Sequence, residues 1–415
     1  MADYTEPIDM SLQVHPSTTY EYPPQYVSGQ LNYVRFTTIN AGPWTPGSDI
    51  VFRIQSSNEF LDADRSYIKI SYQETTIAAG SSIGSLSAQG ATSLINSVTD
   101  TLGGTVLPIY RYPNFYQSIE NKTATFDRQC NLTQLQNSLM FGGSQALGNI
   151  YATSGSYSNV TGTNGSLLTG SAGDVNTSCI PICSPLATCQ KLIPIALING
   201  GWEHRITLEN YNTAFVSKPN GSYQVTVAEF HAAMIKPSDM YLQTLKKEID
   251  MGGSIKLPIQ LKKWYQTTLN ASSTNSIKLQ TGFFNSLDSI IVEHVKASQW
   301  NVAGTYQAGT AKDSFSGNSL TNNITNDTVQ QQMLLSTFST RYPSLQIPNT
   351  NNTILHYSWT PNGEFAQGIP TSDGYIELNL NYTTLPTLGD YLNVHFCYSG
   401  LLEVSEGGSV VDLSY

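Results

Sequence analysis

Gly201-Trp202-Glu203-His204-Arg205-Ile206-Thr207-Leu208-Glu209-Asn210-Tyr211 opens on a glycine and an aromatic, alternates apolar with polar residues, and closes on Asn-Tyr. A period of two over that length predicts a half-buried β-strand. The arrangement returns at Gly374-Tyr375-Ile376-Glu377-Leu378-Asn379-Leu380-Asn381-Tyr382. Each copy is followed by another alternating run, residues 223–235 in the first half and 391–404 in the second. A period of about 170–220 residues is too long for a solenoid and predicts two successive β-sandwich domains. The boundary falls in the turn at 250–254. A helix over 237–249 precedes it, started by Pro237-Ser238-Asp239 and stopped by Gly252-Gly253.

The same reading extends outward. Leu31, Tyr33, Arg35, Thr37 and Ile39 point one way, and Asn32, Val34, Phe36 and Thr38 the other. Ile50-Val51-Phe52-Arg53-Ile54, Tyr67-Ile68-Lys69-Ile70-Ser71-Tyr72 and Thr105-Val106-Leu107-Pro108-Ile109-Tyr110 are further strand-like runs bounded by turn residues. Helical periodicity is confined to 114–123, 237–249 and 327–338. Two long polar stretches, 131–187 and 304–326, are rich in Gly, Ser, Thr and Asn and read as loop insertions. The expected fold is all-β: two consecutive eight-stranded antiparallel jelly-roll β-sandwiches with long loop insertions and a few short helices. Residues 1–26 are read as an N-terminal arm. Residues 27–249 form the first roll with its insertion and the connector helix, and 250–415 the second roll.

The composition narrows the function. The chain has 415 residues and 45.3 kDa, enough for two or three domains. Charged residues are only 12%, against about 25% in an average domain. Low charge with 14 Phe, 5 Trp and 24 Tyr argues against global disorder and against a charge-laced helical bundle. The net charge is −10, and Lys and Arg never exceed pairs such as Lys246-Lys247 and Lys262-Lys263. Direct sequence-specific nucleic-acid binding is therefore not expected. Residues 1–30 show no secretory pattern, and no apolar run is long enough for a membrane-spanning helix. Cys130, Cys179, Cys183, Cys189 and Cys397 lack paired zinc spacing. They read as free thiols, with one disulfide inside the 179–189 cluster or metal binding as the alternatives.

Chemistry-bearing motifs are weak. Gly80-Ser81-Ser82-Ile83-Gly84 matches a nucleophile elbow only formally, because no strand leads directly into it and no helix follows. Gly142-Gly143-Ser144 and the glycines Gly170 and Gly173 lack a phosphate-loop lysine. His15, His204, His231, His294, His356 and His395 are dispersed, and four of them, His204, His231, His294 and His395, fall in expected strands. Glu203, Glu209, Asp288, Glu293 and Glu377 are candidates for a glycosidase pair only because they lie in or beside strands; nothing singles out a pair, and they read as solvated strand faces and edge protection. Eleven N-x-S/T sequons, at Asn121, Asn131, Asn159, Asn164, Asn176, Asn220, Asn270, Asn323, Asn326, Asn351 and Asn381, are about what an Asn-, Ser- and Thr-rich chain produces by chance. No catalytic, cofactor-binding or metal residue is assigned, and the chain is not expected to be an enzyme. A surface low in charge and rich in Tyr, Asn, Ser and Thr suits assembly.

Several passages carry a resemblance to a family. Phe60-Leu61-Asp62-Ala63-Asp64-Arg65-Ser66-Tyr67-Ile68 resembles an F-L-D-x-x-x-S-Y opening of an early strand. Leu94-Ile95-Asn96-Ser97-Val98, the Gly103-Gly104 turn and Tyr112-Pro113-Asn114-Phe115-Tyr116-Gln117-Ser118-Ile119-Glu120 resemble its strand, tight turn and Y-P-Y-x-x-x-I-E passage. Ile193-Pro194-Ile195-Ala196-Leu197 with Gly200-Gly201 resembles its L-P-L passage before a strand. The family is the double jelly-roll major capsid proteins of virophages, polinton-like viruses and related tailless icosahedral DNA viruses, the lineage of the adenovirus hexon. The resemblance implies a homotrimeric capsomer of pseudo-hexagonal outline that tiles an icosahedral shell. It also implies residence in the virion after assembly in the host cell, and partnership with minor and penton capsid proteins. The arm at 1–26 would strap a neighbour, a minor protein or an internal membrane, and the two insertions would form exposed towers. A β-sandwich glycan-binding protein, a glycoside hydrolase and a viral spike are the competing readings. The first two call for an export signal, and the spike for a single roll on a stalk.

Overall fold

The computed structural model describes residues 29–76, 85–86, 90–116, 175–189, 191–216, 221–280, 284–295, 297, 315–319, 322–323, 354–358, 368, 371, 375–382 and 386–412. In chain order the strands of the first half are β1 (Gln30–Thr37), β2 (Asp49–Ile54), β3 (Phe60–Thr76), β4 (Ser85–Leu86), β5 (Ile95–Leu102), β6 (Thr105–Val106), β7 (Tyr110–Arg111), β8 (Asn176–Pro181), β9 (Trp202–Leu208), β10 (Phe215–Val216) and β11 (Ser222–Lys236). The helix Asp239–Asp250 follows. The second half contains β12 (Ile255–Thr268), β13 (Thr274–Gln280), β14 (Leu287–Val295), β15 (Phe315–Ser319), β16 (Asn322–Asn323), β17 (Ile354–Ser358), β18 (Tyr375–Tyr382), β19 (Tyr391–Val404) and β20 (Val410–Asp412).

The first half pairs its strands as β1-β11-β3-β8 and β2-β9-β5-β6, with β7 also on β5, and β4 with β10 forms a small ribbon. The second half pairs them as β12-β19-β14-β17 and β13-β18-β15-β16, with β20 on β19. All of these pairs are antiparallel. With β6 and β7 counted as one interrupted strand, each half has eight principal strands among the described residues. Both halves then read 1-8-3-6 in one sheet and 2-7-4-5 in the other. That interleaving of two sheets is the jelly roll. The sequence repeat marks equivalent places: β9 and β18 are seventh strands, and β11 and β19 eighth.

Alternation explains how each roll closes. In β9, Trp202, His204, Ile206 and Leu208 are buried, whereas Glu203, Arg205 and Thr207 face outward. Trp202 packs edge-on to Phe230 at 5.4 Å, and Phe52 lies 5.8 Å from Phe230, so aromatic side chains from both sheets meet between them. The connector helix begins at Ser238, whose hydroxyl accepts the Tyr241 N–H, and ends before Gly252 at φ +92°. Only Leu245 and Ile249 of that helix are buried.

Three readings change. The run Thr105–Tyr110 is not one strand. Pro108 has no N–H to donate, and the chain breaks into β6 and β7, which pair with different parts of β5. The polar stretch 131–187 is not loop to its end: residues 176–181 are β8, paired along β3. Its Asn, Thr, Ser and Cys content hid a strand whose Ser178 and Ile180 face inward. Likewise the stretch 304–326 contains β15 and β16. The arm at 1–26, the helix expected at 327–338 and most of that at 114–123 lie outside the described residues; Pro113–Tyr116 is helical.

Candidate assembly surfaces

The two rolls meet through aromatic and hydrogen-bonded contacts. The Lys262 ammonium of β12 sits 3.5 Å from the Tyr116 ring centre and 5.6 Å from that of Tyr110. Such cation–π contacts contribute about 0.5–1 kcal/mol each when partly exposed. Tyr112 lies 4.4 Å from Trp264 and stacks on Phe115 at 4.9 Å. Its φ of +54° is costly for a bulky residue and turns the chain from β7 into the following helical turn. Tyr116 also meets His395 edge-on at 5.7 Å. Burial first, and then the Lys262 charge, push the His395 imidazole down to about 3, so it is neutral at pH 7.

A second contact is built from a buried polar network. Asp100 of β5 accepts from the Ser184 hydroxyl at 2.6 Å and from the Trp202 indole at 2.8 Å, and His204 Nδ1 is 2.7 Å away. Asp100 and His204 face each other across β5 and β9. Ser184 also accepts the Leu186 N–H at 3.0 Å, which starts the short 3-10 turn Pro185–Thr188. At the end of that turn the Thr188 hydroxyl accepts the Gln260 N–H of β12 at 2.7 Å. The buried carboxylate thus positions a turn of the first roll on the edge of the second. A third contact joins the ends of the rolls: Asn199 N–H donates to the Gly408 carbonyl at 2.9 Å, and the Thr105 hydroxyl donates to the Val410 carbonyl.

The outer face of the first roll is open. Tyr33 of β1, Tyr67 of β3 and His231 of β11 form a row, with Tyr67 stacked on His231 at 4.9 Å and 6.5 Å from Tyr33. Beside it, Glu229 receives Arg35 at 3.2 Å and Lys69 and His231 at 3.3 Å. Burial acts to raise the Glu229 carboxyl, but hydrogen bonds from Lys69 and His231, with the Lys69 and Arg35 charges, hold it below the usual range. The equivalent sheet of the second roll differs, for all nine residues of β14 are buried.

The carboxylates form no hydrolytic pair among the described residues. Glu203 is on the surface, paired with Arg53 and Arg205 at 3.2 Å. Glu209, Asp288 and Glu293 are buried, which corrects the expectation of solvated strand faces. Glu209 accepts from Asn96, Asn114 and the Asn210 N–H, and burial still raises its carboxyl. Asp288 accepts from Ser399 and Ser286, and burial lifts it to about 6. His294 pairs with Asp390 at 3.1 Å inside the second roll. Sequence reasoning passed over Asp100, Ser184 and Asp390, and no local pattern marks them as buried. The described residues hold no metal-binding group of three or more His, Cys, Asp or Glu. Cys179, Cys183, Cys189 and Cys397 take part in no disulfide among the described residues. The motif at 80–84, the glycines Gly142, Gly143, Gly170 and Gly173, Cys130, His15 and the side chains of His356 and Glu377 lie outside the described residues. So do the sequons at Asn121, Asn131, Asn159, Asn164, Asn220, Asn326 and Asn351.

No protein-family model matches the chain, and no curated protein does either. Solved structures do. VP54 of PBCV-1, fitted into a reconstruction of the virophage Sputnik, aligns over 94% of this chain and 98% of its own at TM-score 0.62 and 10% identity. The fold is the double jelly roll of viral major capsid proteins. The Faustovirus major capsid protein aligns over 94% and 93% at TM-score 0.56 and 10% identity. The structure of the Sputnik virophage gives 99% and 92% at TM-score 0.53 and 11% identity. These alignments therefore cover nearly the whole of each chain.

Proposed function

We propose that this chain is a viral major capsid protein, non-enzymatic, whose homotrimers form pseudo-hexagonal capsomers that tile an icosahedral shell. The observation that carries this reading is the repetition of one strand order, 1-8-3-6 and 2-7-4-5, in two rolls of a single chain. Two similar rolls per chain let three chains present six similar corners, and a closed ring of like contacts is the ordinary route to a stable oligomer. Near-complete alignment with capsid chains of PBCV-1 and Faustovirus supports it. We divide the chain into an arm at 1–26, a first roll at 27–249 and a second at 250–415, with the connector helix closing the first.

In this reading weak contacts between capsomers are multiplied by the lattice. Partners are further copies of the chain and minor or penton capsid proteins. The acidic, Tyr- and Pro-rich arm straps a neighbour, a minor protein or an internal membrane. No cofactor takes part, and the place of action is the virion. Light scattering on a sizing column tests the capsomer: three copies of a 45.3 kDa chain give about 136 kDa. A 45.3 kDa monomer at all concentrations overturns it. Deleting residues 1–30 should leave trimers and block shells; normal particles from that deletion would remove the arm's role.

A further inference from the structure

The sheets β1-β11-β3-β8 and β12-β19-β14-β17 hold the same place in the two rolls. In the second roll, outward side chains of this sheet are covered by the first roll. Lys262 and Trp264 of β12 meet Tyr116 and Tyr112, and His395 of β19, 1% exposed, meets Tyr116. Cys397, the next outward residue of β19, is buried with its Sγ 4.0 Å from the Tyr116 hydroxyl. In the first roll the same face is open. Leu31 is 43%, Tyr33 58% and Val227 40% exposed. Arg35, His231 and Tyr67 lie side by side across β1, β11 and β3, and Thr37, Glu229 and Lys69 form the next row.

The other sheet of the first roll has the chemistry of a face that meets water. Its outward charges pair on the sheet itself, Arg53 with Glu203, and Arg205 with Glu203 and Asp49. The large apolar residues of β2, β5 and β9 are all buried. The face of β1, β11 and β3 instead exposes Leu31, Tyr33 and Val227 beside the Tyr67–His231 stack and Arg35. Apolar and aromatic side chains gathered beside an arginine are the composition of a protein interface.

We infer that the outward face of β1, β11 and β3 docks the second roll of another copy of this chain. The seam inside the chain supplies the pattern. There Tyr110 of β7, in the fifth-strand place of the first roll, and Tyr112 and Tyr116 just after it lie on β12 and β19 of the second. In the second roll the fifth-strand place belongs to β16. Another copy therefore brings an edge of the same kind to the open face. One chain holds both halves of a head-to-tail contact, and repeating that contact closes a ring. Charge agrees. The two rows carry Arg35 and Lys69 against Glu229, whereas the chain as a whole has a net charge of −10. An acidic copy is drawn to such a face. This contact rests on the capsomer reading above and names the surface that closes it.

The test uses the full chain carrying Tyr33→Glu or Val227→Glu, with Thr99→Glu on the other sheet, opposite Arg205, as the control. Mass is followed by light scattering over a dilution series. Each face variant should weaken association about tenfold or more, and the control should associate as the wild type does. Unchanged thermal melts will show that the variants are folded. Should a face variant unfold, acetylation of the wild-type chain carries the same test, because Lys69 should be labelled more slowly in the trimer than after dilution to monomer. A wild-type trimer that ignores both face changes, a control as weak as the face variants, or Lys69 labelled at one rate in trimer and monomer overturns the docking face and leaves the capsomer standing. A wild-type monomer overturns both.

Discussion

Asp288 shows how much a single buried acid can weigh. The residue is 5% exposed, and burial lifts its carboxyl from the ordinary 3.8 to about 6. Folding therefore favours the protonated form. The penalty is absent below pH 3.8, grows as pH rises, and is complete above pH 6. Asp288→Asn should raise stability by about 1–2 kcal/mol at pH 7.5 and by nothing at pH 3.5, since an amide still accepts from Ser399. Chemical denaturation at the two pH values measures it. His395 works in the opposite sense. Its imidazole is held near 3, so unfolding takes up a proton below its ordinary 6.5, and stability falls as pH drops from 6.5 towards 3. His395→Gln should flatten that fall, as thermal melts between pH 7 and pH 4 will show. Asp100 matters through its hydrogen bonds. Asp100→Ala strands the Trp202 and Ser184 donors and His204, and should cost about 3 kcal/mol. None of these burials was legible in the sequence. An acid or histidine in an alternating strand reads the same whether its face meets water or a second roll.

At the level of elements the alternation was legible wherever apolar and polar residues contrasted, as in β2, β9, β11 and β19. The repeat at 201–211 and 374–382 located the seventh strand of each roll. It could not supply strand order, because order depends on pairings between residues more than a hundred apart, such as Tyr67 with His231. β8 was missed because Asn176, Thr177 and Ser178 carry loop-like chemistry; β3 supplies the hydrogen bonds that hold them extended. The seam between the rolls depends on a few tight backbone approaches. A Cβ on Gly408 would meet the Leu197 carbonyl oxygen at 2.3 Å, at a φ of +70°. Gly408→Ala should therefore loosen the β19–β20 end from the first roll and lower stability by about 2 kcal/mol. Hydrogen exchange should show the loss first at Asn199, whose N–H binds the Gly408 carbonyl.

For the whole molecule, the two rolls share a strand order but not an environment. The second roll's β12 is covered along its edge by the first roll, while β1 faces solvent. Low charge and many tyrosines, the plainest features of the composition, give such a surface little repulsion and large contact area. The most direct test is single-particle imaging of the purified full chain. The account predicts class averages with three-fold symmetry and a six-cornered outline, in which six similar lobes surround the axis. A particle of two lobes, one per roll, or a trimer in which only three lobes reach the ring, would contradict it.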